Sequence, residues 1–179
     1  SITTPTAACT NTTDGDGDAL DYYFELYADE GLTALVAESG PIPEDEGVTT
    51  WIPGELTENG DYWWRVSAWD GWASGGWSEA QGFFVNAEEE APGAPELLRP
   101  WEGSTLDINE PEFELDPAAD PDRDALTHYV AITDAWDVEL GVAEAYERGG
   151  GLVAEAPVAL AEGSYCWTAW AVDEHGLEG

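Results

Sequence analysis

Two stretches of the chain share one pattern, an acidic turn followed directly by alternating apolar and polar residues. The first, Asp14–Leu26, reads Asp-Gly-Asp-Gly-Asp-Ala-Leu-Asp-Tyr-Tyr-Phe-Glu-Leu, and the second, Asp120–Ile132, reads Asp-Pro-Asp-Arg-Asp-Ala-Leu-Thr-His-Tyr-Val-Ala-Ile. An apolar residue at every second position is typical of a half-buried β-strand. Each stretch therefore predicts a turn that leads into a strand, and its recurrence predicts two copies of one small β domain.

The two copies align over most of their length. The matched pairs are Pro5 with Pro111, Asp14 with Asp120, Leu20 with Leu126, Tyr62 with Tyr165, and Asp70 with Asp173. A repeat of roughly 105 residues is too long for a solenoid and suits tandem β-sandwich domains. We expect a first domain at residues 1–86, an acidic linker rich in Pro and Gly at 87–94, and a second domain at 95–179.

Alternation and turn residues predict the strands of the first copy, and no segment has the period of an amphipathic helix. The strongest strand is Tyr62–Trp69, with Tyr62, Trp64, Val66 and Ala68 on one face. The other expected elements are strands at 4–10 and 20–28, shorter strands within 31–54, a turn at 71–76 and a closing strand at 79–85. In the second copy, residues 95–106 form an additional extended segment.

Two short runs resemble the tyrosine corner of fibronectin type III-like domains. These are Leu56 followed by Gly60-Asp61-Tyr62-Trp63-Trp64-Arg65-Val66, and Leu160 followed by Gly163-Ser164-Tyr165-Cys166-Trp167. The acidic turn and Trp77-Ser78 resemble the variant that is common in tandem on bacterial secreted and surface proteins. The resemblance implies an all-β fold of two seven-stranded Ig-like sandwiches. The strand that corresponds to the family's second strand, Pro5–Thr10 in the first copy and Pro111–Asp116 in the second, lacks the Trp usual in the family. We expect the Trp on the family's sixth strand, which here begins at Tyr62, to fill that volume.

Under this mapping, the first copy lacks its first strand and the second copy lacks its last. Either both strands lie outside this sequence in a longer array, or neighbouring chains supply them by strand addition. Each sandwich would then have one open strand edge.

Charge restricts the partners of the chain. There are 39 acidic and four basic residues, and the net charge is −35. Such a charge repels nucleic acid and anionic membranes, and no apolar run is long enough to insert into a bilayer. Three interpretations of the acidic residues remain open: a solvation coat, a set of divalent-cation sites, or a docking surface for a basic partner.

The acidic turns are candidate calcium sites. Three carboxylates at alternate positions of a turn can converge on one hard cation, and the loop after the sixth strand lies at the same end of a sandwich. The candidate ligands are Asp14, Asp16, Asp18 and Asp70 in the first copy, and Asp120, Asp122, Asp124 and Asp173 in the second, with Glu89 of the linker. Calcium here would stiffen the junction in a way similar to cadherin-like arrays. Alternatively, the aspartates only cap their own turns.

Four tryptophans of the first copy are candidate sugar-stacking residues: Trp63, Trp69, Trp72 and Trp77. They lie on the outward face of the sixth strand or in the turn after it, and aromatic surfaces of this kind can stack on glycan rings. Alternatively, they cover the sheet, clamp Arg65 or pack against the linker.

Catalysis is not predicted. His128 takes an inward strand position and is expected to be a core residue, and neither it nor His175 accompanies a nucleophile motif. Cys9 and Cys166 fall in different copies, so we expect no disulfide within a domain.

These features favour a structural or adhesive spacer of a longer, secreted or cell-surface fibre protein that contacts neighbouring domains or copies through strand edges. The alternative is a carbohydrate-binding accessory module of a secreted hydrolase. The two differ in one observable property, which is retention on polysaccharides.

Overall fold

The structure is a computed structural model that describes residues 4–179, so the first three residues of the predicted first domain lie outside the described residues. It divides into two compact units, Ser1–Glu88 and Glu89–Gly179. Every regular element between residues 4 and 179 is a β-strand. No helix in that range is long and apolar enough to cross a membrane.

Unit 1 is a sandwich of two antiparallel sheets. Its strands are β1 (Ala7–Thr10), β2 (Asp21–Tyr27), β3 (Leu35–Glu38), β4 (Ile42–Pro43), β5 (Val48–Trp51), β6 (Asp61–Trp69), β7 (Ser74–Trp77) and β8 (Gln81–Phe84). One sheet pairs β1 with β5, and the other has the order β3-β2-β6-β7, with β4 paired to β2 and β8 to β6. This partition of strands is that of a fibronectin type III-like sandwich, as the sequence predicts.

Unit 2 repeats the sandwich with one strand more at its start. Its strands are β9 (Glu96–Arg99), β10 (Glu112–Asp116), β11 (Thr127–Asp134), β12 (Glu139–Glu144), β13 (Tyr146–Arg148), β14 (Gly151–Glu155) and β15 (Tyr165–Val172). The sheets have the orders β9-β10-β14-β13 and β12-β11-β15. The predicted all-β sandwich class is confirmed for both copies.

The predicted turn at 71–76 is wrong in its second half. Ser74 pairs with Trp69 and Trp77 with Ser67, so β7 continues the sheet beside β6. The pairing shifts register between these two pairs. Gly76 adopts a φ of +85°, a conformation open to glycine, which allows the strand to bulge where the sequence pattern indicates a loop.

Stacked aromatic rings form the core of unit 1. Phe24 is fully buried, and its ring centroid lies 5.8 Å from that of Trp51 and 5.9 Å from that of Trp64. Trp64 on the sixth strand thus occupies the expected core volume. Trp51, on β5, was not anticipated, because the shorter strands of residues 31–54 have no clear alternation.

The core of unit 2 also contains packed aromatic rings, but from different strands. Phe113 on β10 packs against Trp167 on β15, with ring centroids 5.0 Å apart. The Trp167 indole Nε1 donates a hydrogen bond to the carbonyl of Pro100 at 3.2 Å, so the polar atom of the half-buried ring is satisfied.

The expected tyrosine corners are present in both units. The Tyr62 hydroxyl accepts a hydrogen bond from the Thr57 backbone N–H at 3.0 Å, and the Tyr165 hydroxyl donates one to the Ala161 carbonyl at 2.9 Å. A Cβ on Gly60 would lie 2.7 Å from the Tyr62 ring. Glycine is therefore required where the chain passes closest to this tyrosine.

Among the described residues each sheet has edge strands, and β1 and β15 are the two beside which the sequence predicts a missing strand. β1 pairs only with β5, and β15 pairs only with β11, apart from an isolated bridge between Val172 and Glu178. Open edges present unpaired backbone groups that favour pairing with another strand.

We predict that the 179-residue chain self-associates through these edges. Sedimentation velocity over a concentration series should show a rising mean mass, and Ala8→Lys on the exposed side of β1 should reduce it, because an edge charge opposes pairing. A stable monomer at every concentration would contradict the assignment of open edges.

We also predict that Phe24→Ala destabilises unit 1 by about 3–5 kcal/mol, because it leaves a cavity between two tryptophans. Urea unfolding followed by far-ultraviolet circular dichroism measures the loss. Trp72, which is 90% exposed, provides the control, since Trp72→Ala should change stability by less than about 0.5 kcal/mol. Equal effects of the two substitutions would refute the stacked core.

Candidate cation site and aromatic groove

The acidic turn of unit 1 is held by its first aspartate. Asp14 Oδ1 accepts hydrogen bonds from the backbone N–H groups of Asp16 at 2.7 Å and Asp18 at 3.3 Å. Gly17 takes a φ of +83°, which closes the turn. Asp16 and Asp18 are exposed, so Asp14 alone has a clear role here, which is to cap the turn.

The acidic turn of unit 2 has the same geometry. Asp120 Oδ1 accepts hydrogen bonds from the N–H groups of Asp122 at 2.8 Å and Asp124 at 3.3 Å. Arg123 occupies the place of the glycine and adopts a φ of +69°. Arg123 therefore takes up the left-handed conformation that this turn requires, and its side chain is exposed.

A second aspartate caps the loop after the long strand in each unit. Asp70 Oδ1 accepts hydrogen bonds from the N–H groups of Ala73 and Trp72, both at 2.7 Å, and these bonds lower the pKa of Asp70. Asp173 Oδ1 accepts two hydrogen bonds at 2.8 Å, from the N–H groups of His175 and Leu177.

Burial distinguishes the second copy from the first. Asp122 is 5% exposed and Asp173 is 6% exposed, whereas Asp16 lies at the surface. Asp122 Oδ2 accepts a hydrogen bond from the Glu90 backbone N–H at 2.6 Å. The segment that leads into β9 therefore covers the acidic turn of unit 2.

Each of three carboxylates in unit 2 has one engaged oxygen and one buried oxygen without a hydrogen-bond partner. The unpartnered atoms are Asp120 Oδ2, Asp122 Oδ1 and Asp173 Oδ2. Backbone N–H groups orient each carboxylate through its other oxygen. A buried anionic oxygen without a partner is unfavourable unless a cation or a proton reaches it.

The acidic turn of unit 2 brings its ligands together. One oxygen from each of Asp120, Asp122 and Asp124 lies within 4.8 Å of the other two. Within the described part of unit 1, the matching residues Asp14, Asp16 and Asp18 do not form such a group.

A second group surrounds His175. Its Nδ1 lies 2.9 Å from Asp124 Oδ2 and 3.0 Å from Glu89 Oε2. The hydrogen bond to Asp124 is the largest cause that raises the pKa of His175. Sequence reasoning placed Glu89 near the acidic turn but gave His175 no role, because the pattern does not show which side of the loop faces Asp124.

Two of the four candidate tryptophans line a groove on the outer face of unit 1. Trp69 packs edge-on against Tyr23, with ring centroids 6.5 Å apart, and Trp77 stacks on the Arg65 guanidinium at 4.5 Å. The groove has a volume of about 300 Å³. Its lining residues are Tyr23, Phe24, Glu25, Glu38, Ser39, Ser67, Trp69, Ser74 and Trp77.

The other two tryptophans lie apart from this groove. Trp63 packs over Gly82, where a Cβ would lie 2.9 Å from the indole nitrogen, and Trp72 is exposed in the loop before β7. Arg65 also pairs with Glu25 at 2.7 Å, so Trp77 covers a clamped ion pair as the alternative interpretation expects.

Unit 2 carries an outer-face aromatic pair that residue-by-residue matching missed. Tyr129 stacks on Trp170 with ring centroids 5.5 Å apart. Trp170 matches Ser67 of the first copy rather than one of its tryptophans, so a search at the tryptophan positions does not find it.

His128 has a structural place in unit 2. Its Nε2 accepts a hydrogen bond from the Ala118 backbone N–H at 3.0 Å, and Tyr22 of unit 1 likewise accepts one from Thr12 at 2.8 Å. The side chain is buried, which lowers its pKa. His128 is thus the satisfied core residue that the sequence predicts.

The two thiols are free in the structure. Cys9 packs against the core of unit 1, and burial raises the pKa of its thiol. Cys166 is exposed on the outward side of β15.

No family model matches the chain, and no curated protein matches it significantly. Solved structures give low-level likenesses. The FN1-FN3 domains of chicken CNTN1 match at 12% identity and a TM-score of 0.33, over 96% of this chain and 58% of that one. An α-L-rhamnosidase from Dictyoglumus thermophilum matches at 11% identity and a TM-score of 0.35, over 99% of this chain and 28% of that one. The chicken interferon gamma receptor alpha chain matches at 13% identity and a TM-score of 0.31, over 100% of this chain and 96% of that one. Scores this low carry no argument about function.

We predict that His128 makes the stability of unit 2 depend on pH. Because burial holds its pKa below the ordinary 6.5, its contribution is complete above pH 6.5 and is lost as the pH falls through the lower folded-state pKa. His128→Tyr, which introduces the residue of the first copy, should remove this component. Thermal melting between pH 5 and 7 measures it, and an unchanged pH profile in the variant would contradict the assignment.

Proposed function

We propose that the chain is a non-catalytic structural module, a spacer or adhesive stalk, in a longer secreted or cell-surface protein. The observation that supports this most is the repetition of one sandwich, with the same capped acidic turn and tyrosine corner in both copies. Tandem sandwiches set a distance between the parts they connect.

The chemistry of the polar side chains agrees with this role. His128 completes a backbone hydrogen bond in the core, and Arg65 holds Glu25 across neighbouring strands. Asp14 and Asp70 cap loops. These groups serve the fold, and the surrounding acid keeps the surface hydrated and repels anionic polymers and membranes.

The edges of β1 and β15 support a partner that adds a strand. Neighbouring domains or further copies of the chain would add strands there, since main-chain hydrogen bonds give affinity without a specialised pocket. We further propose that a bound calcium ion stiffens the start of unit 2.

A carbohydrate-binding module is the second candidate, and the groove of unit 1 favours it. Trp69 and Tyr23 present aromatic rings beside polar groups such as Glu38, in a cleft of about 300 Å³. Aromatic faces next to hydrogen-bonding groups suit a neutral sugar ring.

Retention on a panel of immobilised polysaccharides distinguishes the two functions. The spacer proposal predicts that the chain elutes with a non-binding reference protein from every matrix. Strong retention that Trp69→Ala abolishes and Trp72→Ala preserves would overturn it in favour of glycan binding, because Trp69 lines the groove and Trp72 does not.

A further inference from the structure

We infer that the second copy binds one hard divalent cation, calcium, at the acidic turn, with ligands from Asp120, Asp122 and Asp124. Asp122, a member of this group, is almost fully buried and has one buried oxygen without a partner. Exposed acidic turns are common without an ion. A buried, oriented and unpartnered carboxylate oxygen is the feature that separates this turn from an ordinary one.

The carboxylates are already oriented for a cation. Backbone N–H groups bind Asp120 Oδ1 and Asp122 Oδ2, which leaves Asp120 Oδ2 and Asp122 Oδ1 as the buried, unsatisfied atoms. Two ionised groups at such short range repel one another unless a positive charge lies between them.

The spacing of the oxygens suits calcium. Two oxygens that each lie about 2.4 Å from one ion are at most about 4.8 Å apart. One oxygen from each of Asp120, Asp122 and Asp124 lies within that distance of the other two, which is compatible with one calcium ion. Magnesium demands near-octahedral geometry and gives up its waters reluctantly, so a group of three protein carboxylates favours calcium.

The loop after β15 adds negative charge at the same end of unit 2. Val172 pairs with Thr127, and His175 contacts Asp124 at 2.9 Å, so the loop lies beside the acidic turn. Asp173 lies between these two contacts and has a buried oxygen without a partner. We expect it to strengthen binding, as a further ligand or through a coordinated water.

Within the 179-residue chain, we expect the first copy to bind an ion more weakly. Asp16, which matches Asp122, is exposed, and no oxygen group like that of unit 2 forms around it within the described residues. In unit 2, the Glu90 N–H contacts Asp122 at 2.6 Å and the Gly93 N–H bonds to the Ala119 carbonyl at 2.9 Å. The segment from Glu90 to Gly93 thus covers Asp122 and excludes water from it, whereas Asp16 stays exposed.

The inference deepens the proposed function and rests on it only for the mechanical role of the ion. Binding can be tested alone. Isothermal titration of the 179-residue chain with calcium chloride, at fixed ionic strength, should give one site per chain with a dissociation constant on the order of 10⁻⁴ M. Magnesium chloride should bind at least about tenfold more weakly.

Matched variants locate the site. Asp122→Asn should weaken calcium binding at least about tenfold, whereas Asp16→Asn, the same change at the matching position of the first copy, should leave it unchanged. Asp173→Asn with its counterpart Asp70→Asn forms a second pair, which serves if Asp122→Asn does not fold. An absence of binding, or equal losses within a pair as a diffuse acidic atmosphere would give, overturns the site.

Solution scattering, measured with calcium and then with chelator, tests the mechanical effect of the ion separately from its binding. A change in the scattering profile at constant ionic strength supports stiffening. Binding of one ion without such a change would keep the site and reject the stiffened spacer. An unchanged profile together with no heat of binding would reject both.

Discussion

Both copies depend on one interaction, the bond between an aspartate carboxylate and the backbone N–H groups two and four residues later. Asp14 and Asp120 make it with nearly the same distances. The bond shapes the connection between the two sheets of each sandwich, so that the following strand enters with its apolar side towards the core. In that strand, Phe24 of the first copy and Val130 of the second are completely buried.

The carboxylates of the acidic turn differ in solvent exposure between the two copies, because different segments surround them. In unit 1 it is exposed, and water can hydrate the carboxylates that do not cap the backbone. In unit 2, the chain before β9 lies over Asp122 and removes that water. The three aspartates are the same in both turns, so the difference in their burial comes from the segment that packs over Asp122.

Much of the fold could be predicted from the sequence, since alternation is a direct consequence of half-buried strands. Trp64 and Tyr62 were placed correctly for this reason. Trp51 was missed because short strands show no reliable period, and the pairing of β7 was missed because glycines indicate a turn. The aspartates of both acidic turns are evident from the sequence. Which copy buries them could not be predicted, because burial depends on how a covering segment packs, and its sequence is only acidic and Pro-containing.

We propose that burial gives one of the two acidic turns an affinity for calcium. Backbone amide chemical shifts during a calcium chloride titration test it directly, because each turn reports through its own N–H groups. The account predicts saturable shifts for Asp122, Asp124 and His175, with no comparable shifts for Asp16, Asp18 and Trp72. Equal shifts in both copies, or none in either, would contradict it.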